Sequence, residues 1–274
     1  MAVKDILVHI DTSESGVGVN EFALSLASRT GSYLTAAGLA IQFVPSSAMD
    51  DGGGYASLVE ITEQSKADAR AAYDRLKSAA TPDVQTDFIM IEGVAQTARE
   101  RFGELGRHFD LSIVGQGTPV NADDGLMVEG ALYGSGRPVF VVPAAHRGPA
   151  ALDKVLVCWD GGLPAARAVA GALSLLRLAK QIEVVTVAKS DQAPEELPGF
   201  NITRHLSRHG LAPTLKKLPP AKDAGEAILA YAKEFGADFI VMGAFGHWRL
   251  REFILGGATR TALDKMGCPL LMSH

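Results

Sequence analysis

The stretch Lys154–Asp160 reads Lys-Val-Leu-Val-Cys-Trp-Asp, a basic residue followed by an apolar run and an aspartate. Near the start of the chain, Lys4–Asp11 reads Lys-Asp-Ile-Leu-Val-His-Ile-Asp and has the same character. A small-residue stretch and a long Ala/Leu-rich helical pattern follow each aspartate. Continuous apolar runs of this length are typical of parallel strands covered on both faces. The sequence therefore predicts two copies of one α/β unit.

The ends of the two copies also correspond. Residues 136–142 and 267–272 each form a turn pattern that leads into a short apolar strand. The Pro- and Gly-containing residues 144–152 are typical of a linker. We predict a first domain over residues 1–143 and a second over 153–274, and 274 residues suit two ordinary domains. We further expect the terminal strands, 139–142 and 270–272, to cover each other's edges in an intramolecular pseudo-dimer.

Strand and helix patterns alternate through both copies. The predicted strands of the first copy are 4–10, 32–40, 84–91, 110–114 and 138–142, and those of the second are 154–159, 181–187, 213–218, 238–242 and 268–272. The predicted helices of the second copy are 163–179, 195–209, 223–235 and 257–266. Residues 42–57, rich in Pro, Ser and Gly, predict a mobile loop or lid before a long helix over 58–79. This order predicts α/β architecture: two tandem doubly wound, Rossmann-like domains, each a five-stranded, mostly parallel sheet flanked by helices.

Composition excludes several classes of function. The net charge of −5 disfavours nucleic acid and anionic membranes as partners. No run of about 18 apolar residues predicts a membrane span, and the start of the chain does not resemble a signal peptide, so we expect a cytoplasmic protein. Cys158 and Cys268 stand in apolar surroundings and predict no disulfide. His205 and His209 lie one helical turn apart, but a solvated helix face explains them better than a metal site.

A glycine-spaced loop marks the candidate binding site. Gly243 follows a predicted strand, and the chain continues with two residues, Gly246, nine residues and Gly256, then Gly257 and a helix. Glycine lets backbone N–H groups approach a phosphate closely, and a helix start attracts an anion. In an open α/β sheet, ligands bind outside the carboxyl ends of the strands, where Gly243 and Asp160 fall. The loop therefore predicts a polyphosphate site.

This pattern resembles the universal stress protein family, whose nucleotide-binding domains carry Gly-x2-Gly-x9-Gly followed by Ser or Thr, and the likeness extends over both copies. The resemblance implies that Asp160 meets adenine or ribose, that Val187 contacts the base and that the glycines hold phosphates. It implies ATP, ADP or AMP as the ligand, with or without Mg²⁺. The complete predicted site consists of Asp160, Val187, Gly243, Gly246, His247, Arg249, Gly256 and Gly257. No catalytic or metal-binding residue is predicted.

One residue of the second copy departs from the family pattern. Gly257 stands where the family has Ser or Thr. Thr259 lies two positions further along the predicted helix and so is expected to face another direction. We therefore expect backbone N–H groups to do most of the anchoring and binding to be weakened.

The first copy departs much further. Its loop runs from Gly115 through Gly117 to Gly125 and is three residues shorter, and Leu126 takes the Ser/Thr position. Acidic residues 123, 124 and 129 lie where a phosphate would bind. Residues 1–150 hold 11 Lys/Arg against 19 Asp/Glu, whereas residues 151–274 hold 15 against 12. We predict that only the second copy binds nucleotide.

Several alternatives remain open on the sequence alone. Asp11 and Asp160 are also suited to capping the helices that follow them, and Trp248 is as well suited to packing over its own loop as to a ligand. The leading hypothesis is a nucleotide-binding stress-response or regulatory protein with an unknown protein client, as this chain or as a homodimer. The alternatives are a nucleotide-free dimeric scaffold and a weak ATP hydrolase.

Overall fold

The computed structural model describes residues 2–10, 16–41, 53–117, 122–188, 201–245 and 257–274. The chain groups into two compact units. The first unit holds Val3–Arg137 and Ala144–Pro149, and the second holds Pro138–Pro143 and Ala150–His274. The domain boundaries at residues 143 and 153 stay predictions.

The first unit is built on four parallel strands. Its elements are β1 (Asp5–His9), α1 (Gly16–Thr30), β2 (Tyr33–Ile41), α2 (Gly53–Ala79), β3 (Thr86–Gly93), α3 (Ala95–Gly106), β4 (Leu111–Gly115) and α4 (Ala122–Gly134). The strand order is β3-β2-β1-β4, with every pair parallel. Strands β1 and β4 are almost wholly buried, as their continuous apolar runs require.

The second unit has six strands. Its elements are β5 (Val139–Val142), β6 (Lys154–Cys158), α5 (Leu163–Leu176), β7 (Gln181–Val187), α6 (Ile202–Arg208), β8 (Pro213–Leu218), α7 (Ala224–Phe235), β9 (Phe239–Gly243), α8 (Gly257–Lys265) and β10 (Leu270–Ser273). The strand order is β5-β10-β9-β6-β7-β8. All pairs are parallel except β5 with β10, which are antiparallel. Both units thus confirm the predicted α/β, doubly wound fold class.

An identical backbone arrangement in both units confirms the repeat. The Asp110 carboxylate accepts hydrogen bonds from the backbone N–H groups of Lys4 and Asp5, at 2.8 and 3.2 Å. The Asp238 carboxylate accepts from those of Asp153 and Lys154, at 2.7 and 2.8 Å. Lys154 therefore corresponds to Asp5 and not to Lys4, so the matching lysines that first suggest the repeat are offset by one residue.

The pairing of the terminal strands agrees with the sequence prediction. Strand β5 runs antiparallel to β10, with Val141 opposite Leu270 and Val139 opposite Met272. Phe140 packs edge-to-face on Phe239, with ring centroids 5.4 Å apart. Each strand thereby covers an edge that would otherwise expose unpaired backbone groups.

Two sequence expectations need correction. Helix α2 begins at Gly53, so the loop predicted over 42–57 is wrong for residues 53–57, and residues 42–52 lie outside the described residues. The glycines there predicted a loop. The first turn of a helix also accepts glycine, because its backbone N–H groups have no intrahelical partner whichever residue is present. Helix α5 ends at Leu176, three residues before its predicted end. No helix among the described residues has the length and hydrophobicity that crossing a bilayer requires.

Helices α3 and α4 approach each other closely through glycine. A Cβ atom on Gly103 would overlap the carbonyl oxygen of Gly130, and one on Gly134 would lie 2.9 Å from the Cα of Gly103. These are distances that real Cβ atoms do not adopt, so the helices can pack this closely only without side chains at these positions.

We expect Gly103→Ala to lower the free energy of unfolding by about 1 to 3 kcal/mol, because the added methyl group overpacks this contact. Gly125→Ala on α4 is the matched control, since its Cβ would meet only the Cα of Gly117 at 3.8 Å. Urea unfolding measures both variants. Equal stability of the two variants would contradict the proposed contact.

Candidate functional site

The second unit contains a cavity of about 370 Å³ at the carboxyl ends of its central strands. The chain leaves β6 toward β7 and β8 on one side of the sheet, then crosses over to β9 on the other side. The cavity lies at this reversal of strand order, with Trp159 and Asp160 following β6 and Gly243 ending β9. This is the crevice in which open α/β sheets bind ligands, and its volume lies within the range of roughly 300 to 1,000 Å³ for ligand pockets.

Much of the cavity lining is apolar. Val185 and Val187 come from β7, Met242 from β9 and Ile228 from α7, and Pro164 and Ala165 come from the first turn of α5. The backbone N–H of Trp159 donates to the carbonyl of Val185 at 2.9 Å, which extends the pairing of β6 with β7 up to the cavity. Val187, which the family resemblance implies as a contact of the base, is one of these lining residues.

Polar groups also line the cavity. Asp160, Gly243, Gly257 and Thr259 are among the lining residues. The Asp160 carboxylate accepts a hydrogen bond from the backbone N–H of Gly162 at 2.8 Å, and Gly162 is the N-cap of α5. Asp160 is exposed, so its second oxygen can still meet a ligand. The two sequence interpretations of Asp160 are compatible, because one oxygen shapes the turn while the side chain lines the cavity.

Gly243 and Gly257 differ in what they contribute. A Cβ atom on Gly243 would lie 2.5 Å from the backbone nitrogen of Ala165, so this glycine lets the end of β9 pack against α5. Gly243 does not adopt a left-handed backbone conformation, whereas Phe245 does, at φ 54°. A Cβ on Gly257 would meet no atom within 4 Å. The start of α8 is therefore open to the cavity.

A network of side chains holds α8 against α7. The Thr261 hydroxyl donates to the Asp223 carboxylate at 2.6 Å, and Asp223 caps α7 by accepting from the N–H groups of Gly225 and Glu226. The hydrogen bond from Thr261 is the main cause that lowers the pKa of Asp223 below its ordinary value. A Cβ on Gly225 would lie 2.6 Å from the Ala258 carbonyl oxygen, so the two helix starts nearly touch. The first turn of α8 is thereby fixed beside the cavity.

The thiol in the cavity wall is not a nucleophile. Cys158 is buried, and burial raises the pKa of its thiol far above neutral pH. Burial likewise raises the pKa of Cys268 to about 12. The thiolate is the reactive form, so both side chains are inert at neutral pH.

The first unit has a filled counterpart of this site. His9 ends β1 at the position that matches Cys158, and its Nδ1 atom lies 2.8 Å from the carboxylate of Asp124 in the first turn of α4. His9 and Asp124 are only 3% and 4% exposed. A Cβ on Gly115 would overlap the Asp124 carboxylate. The acid that the sequence analysis noted in this loop thus lies inside the crevice, whereas its partner His9 was not anticipated.

The structure brings together four of the predicted site residues, Asp160, Val187, Gly243 and Gly257. The other four, Gly246, His247, Arg249 and Gly256, lie outside the described residues, as do Asp11 and Trp248. Thr259, which was expected to face another direction from the helix start, nevertheless lines the same cavity as Gly257. His205 and His209 contact each other with ring centroids 4.8 Å apart. Within the part of the chain that is described, no three His, Cys, Asp or Glu side chains form a group able to hold a metal ion.

Comparisons with known proteins agree with the fold. The model of the Universal stress protein family matches residues 212–274. Universal stress protein Slr1230 from Synechocystis is 29% identical over 139 residues, which is 49% of this chain and 46% of that protein. The chain thus spans about half the length of this curated relative.

Solved structures of the same fold cover nearly the whole chain. A universal stress protein from Archaeoglobus fulgidus has a TM-score of 0.68 at 17% identity, over 97% of this chain and 94% of that one. A functionally unknown protein from Pseudomonas aeruginosa PAO1 has a TM-score of 0.56 at 18% identity, over 98% and 92% of the two chains. At these identities the likeness shows the fold.

We expect Thr261→Val to raise the pKa of Asp223 toward its ordinary value, because the variant removes the largest cause of its depression. A carboxylate with a lowered pKa contributes stability that is present above its unfolded pKa and is lost as the pH falls through its folded pKa. The variant should therefore be less stable than wild type at neutral pH, and the difference should shrink below about pH 3.8. Carboxyl NMR titration and unfolding at several pH values measure both effects. An unchanged Asp223 titration would contradict this role of Thr261.

Proposed function

We propose that the chain is a stress-response protein of the universal stress protein family and that its second half binds an adenine nucleotide as a regulatory ligand. The ligand is ATP, ADP or AMP, with or without Mg²⁺. The observation that carries this proposal is one cavity that unites Asp160, Val187, Gly243 and Gly257. These residues lie on separate elements, and nearly 100 positions separate the first from the last.

The chemistry of the cavity suits the three parts of a nucleotide. The apolar wall of Val185, Val187 and Met242 offers a slot for a flat base. Asp160 is the carboxylate in the lining, and a carboxylate accepts hydrogen bonds from vicinal hydroxyl groups such as those of ribose. The first turn of α8 has backbone N–H groups without intrahelical partners, and its positive dipole end favours an anion. Phosphates bind at such helix starts in other α/β folds.

The open start of α8 supports this assignment. Since a Cβ on Gly257 would meet nothing within 4 Å, there is space beside the helix start for a group of the ligand. In the first unit, the Asp124 carboxylate takes the corresponding space at the start of α4. A carboxylate there repels a phosphate, and it supports the proposal that only the second half binds nucleotide.

The proposal includes the setting in which the ligand acts. We propose that the chain works in the cytoplasm and transmits nucleotide binding to a protein client, as this chain or as a homodimer. The net charge of −5 argues against nucleic acid as that client. A nucleotide-free scaffold and a weak ATP hydrolase are the competing functions, and the experiments below separate them.

We expect the freshly purified protein to release an adenine nucleotide on denaturation, identified by mass spectrometry.

Asp160→Ala and Gly246→Val should weaken nucleotide binding at least tenfold, measured by calorimetry. Asp160→Ala removes an acceptor for the ribose hydroxyl groups, and Gly246→Val adds bulk where the backbone is proposed to meet the phosphate. Asp153→Ala is the matched control, since this carboxylate pairs with Lys180 at 2.7 Å and does not line the cavity. Equal affinity in all three variants would remove the proposed site, and phosphate release that Asp160→Ala abolishes would support the hydrolase.

We also expect titration with ATP to saturate at one nucleotide per chain, because the first crevice holds the buried pair of His9 and Asp124. In Asp160→Ala the weakened site should account for all residual binding. A stoichiometry of two in the wild type, or undiminished binding in Asp160→Ala, would contradict the asymmetry.

A further inference from the structure

We infer that His205 and His209 on α6 form a two-histidine chelate for a divalent transition-metal ion such as Zn²⁺. The pair lies outside the nucleotide cavity, whose lining, among the described residues, includes none from α6. The inference is therefore independent of the proposed function. It reverses the sequence-based expectation that this helix face is simply solvated.

The first argument is the distance between the two imidazole rings. Their centroids lie 4.8 Å apart, with an angle of 65° between the ring planes. A zinc ion bound at about 2.0 to 2.1 Å from a nitrogen of each ring lies about 3.2 Å from each ring centre. Two rings at an angle of about 90 to 110° around one ion then have centres about 4.5 to 5.2 Å apart. The observed separation falls within this interval, so the helix already holds the rings at the distance of a chelate.

The second argument is that the protein fixes the backbone that carries both rings. Ile202 and Leu206 are 6% and 0% exposed and hold α6 against the core. The Asn201 side chain caps the start of the helix by accepting from the backbone N–H of Arg204 at 2.8 Å. At the other end, the backbone N–H of His209 donates to the Leu206 carbonyl at 2.9 Å. A pair of ligands that is positioned in advance loses little entropy when the ion binds.

The third argument is the accessibility and the chemistry of the two ligands. His205 is exposed and His209 is half-buried, so an ion can reach the pair from solvent. Imidazole nitrogen suits Zn²⁺, Cu²⁺ and Ni²⁺, whereas Mg²⁺ and Ca²⁺ prefer oxygen ligands. Within the described residues no third His, Cys, Asp or Glu side chain joins the pair, and water can complete the coordination of such an ion. The pair therefore selects a transition metal over Mg²⁺.

The charges around the pair set the strength of the site. Arg204 and Arg208 oppose a cation, and Arg208 is the nearer of the two because it lies three positions after His205. Both arginines are exposed, so salt screens much of this repulsion. The pair also lies at the carboxyl end of α6, where the helix dipole favours a cation. We therefore expect a moderate affinity, with a Kd of about 1 to 100 µM.

The test is calorimetric titration of the full-length, metal-free protein with ZnCl₂, with MgCl₂ as the comparison. We expect zinc binding in the range above and no comparable binding of Mg²⁺. His205→Gln and His209→Gln should each weaken zinc binding about tenfold or more, because each variant leaves a single imidazole. His108→Gln is the matched control, since His108 is exposed and has no histidine three or four positions away. Its zinc affinity should stay within about twofold of wild type.

The imidazole NMR signals provide a second measurement that needs no variant. In the wild type, Zn²⁺ should shift the signals of His205 and His209 with the same concentration dependence and leave that of His108 in place. Zinc affinity unchanged in both glutamine variants, a wild-type Kd above about 1 mM, or a shift of only one of the two histidines would overturn the inference.

Asp160→Ala separates this inference from the proposed function. The variant should weaken nucleotide binding and leave zinc affinity within about twofold of wild type, because Asp160 lines the cavity and the histidines do not. Zinc affinity that falls together with nucleotide affinity in Asp160→Ala would overturn the inference. A protein that binds zinc through His205 and His209 but binds no nucleotide would support it and contradict only the proposed function.

Discussion

The bond between the Asp238 carboxylate and the backbone at the start of β6 sets the geometry on which the site depends. Asp238 stands directly before β9 and accepts from Asp153 and Lys154, and its own N–H donates to the Lys154 carbonyl at 2.8 Å. These bonds align the beginnings of β6 and β9. Because both strands have five residues, their carboxyl ends also come level, which brings Asp160 and Gly243 to one edge. The cavity is a consequence of that register.

The same register exists in the first unit, but side chains there occupy the corresponding crevice. Asp110 plays the part of Asp238, and β1 and β4 end at His9 and Gly115. There the crevice receives a buried carboxylate that pairs with an imidazole. In the second unit, Cys158 has a neutral thiol at the position of His9, and Gly257 leaves the start of α8 without a side chain. Two copies of one backbone thus differ at this crevice because of a few side chains.

The sequence predicted the fold well because its signals were local and periodic. Runs such as Ile182–Val187 and Phe239–Met242 are long enough to read as buried strands, and the predicted span of β7 is the observed one. The edge cover of β5 by β10 also followed from their apolar composition. The start of α2 could not be predicted in this way, because glycines at the start of a helix resemble a loop. The offset between Lys4 and Lys154 shows that similar residues do not by themselves align the two copies. The hydrogen bonds of Asp110 and Asp238 to the backbone do align them.

The candidate site was predicted only in part, since motif spacing describes the order of residues along the chain and not their neighbours across it. The rule that ligands bind at the carboxyl ends of the strands located Asp160, Val187 and Gly243. Val187 and Gly243 end their strands, and Asp160 is the second residue after β6. It could not reveal that Gly243 packs against Ala165, or that His9 meets Asp124 across 115 positions.

Thr259 shows the limit of reasoning from helix periodicity. Two positions along an ideal helix do point in different directions, but a cavity that wraps around the first turn can border both. Gly257 contributes open space and Thr259 contributes a hydroxyl that Phe245 holds in place. Which residues border a cavity at a helix start therefore depends on the volume that the cavity occupies, and not on the spacing of residues along the helix alone.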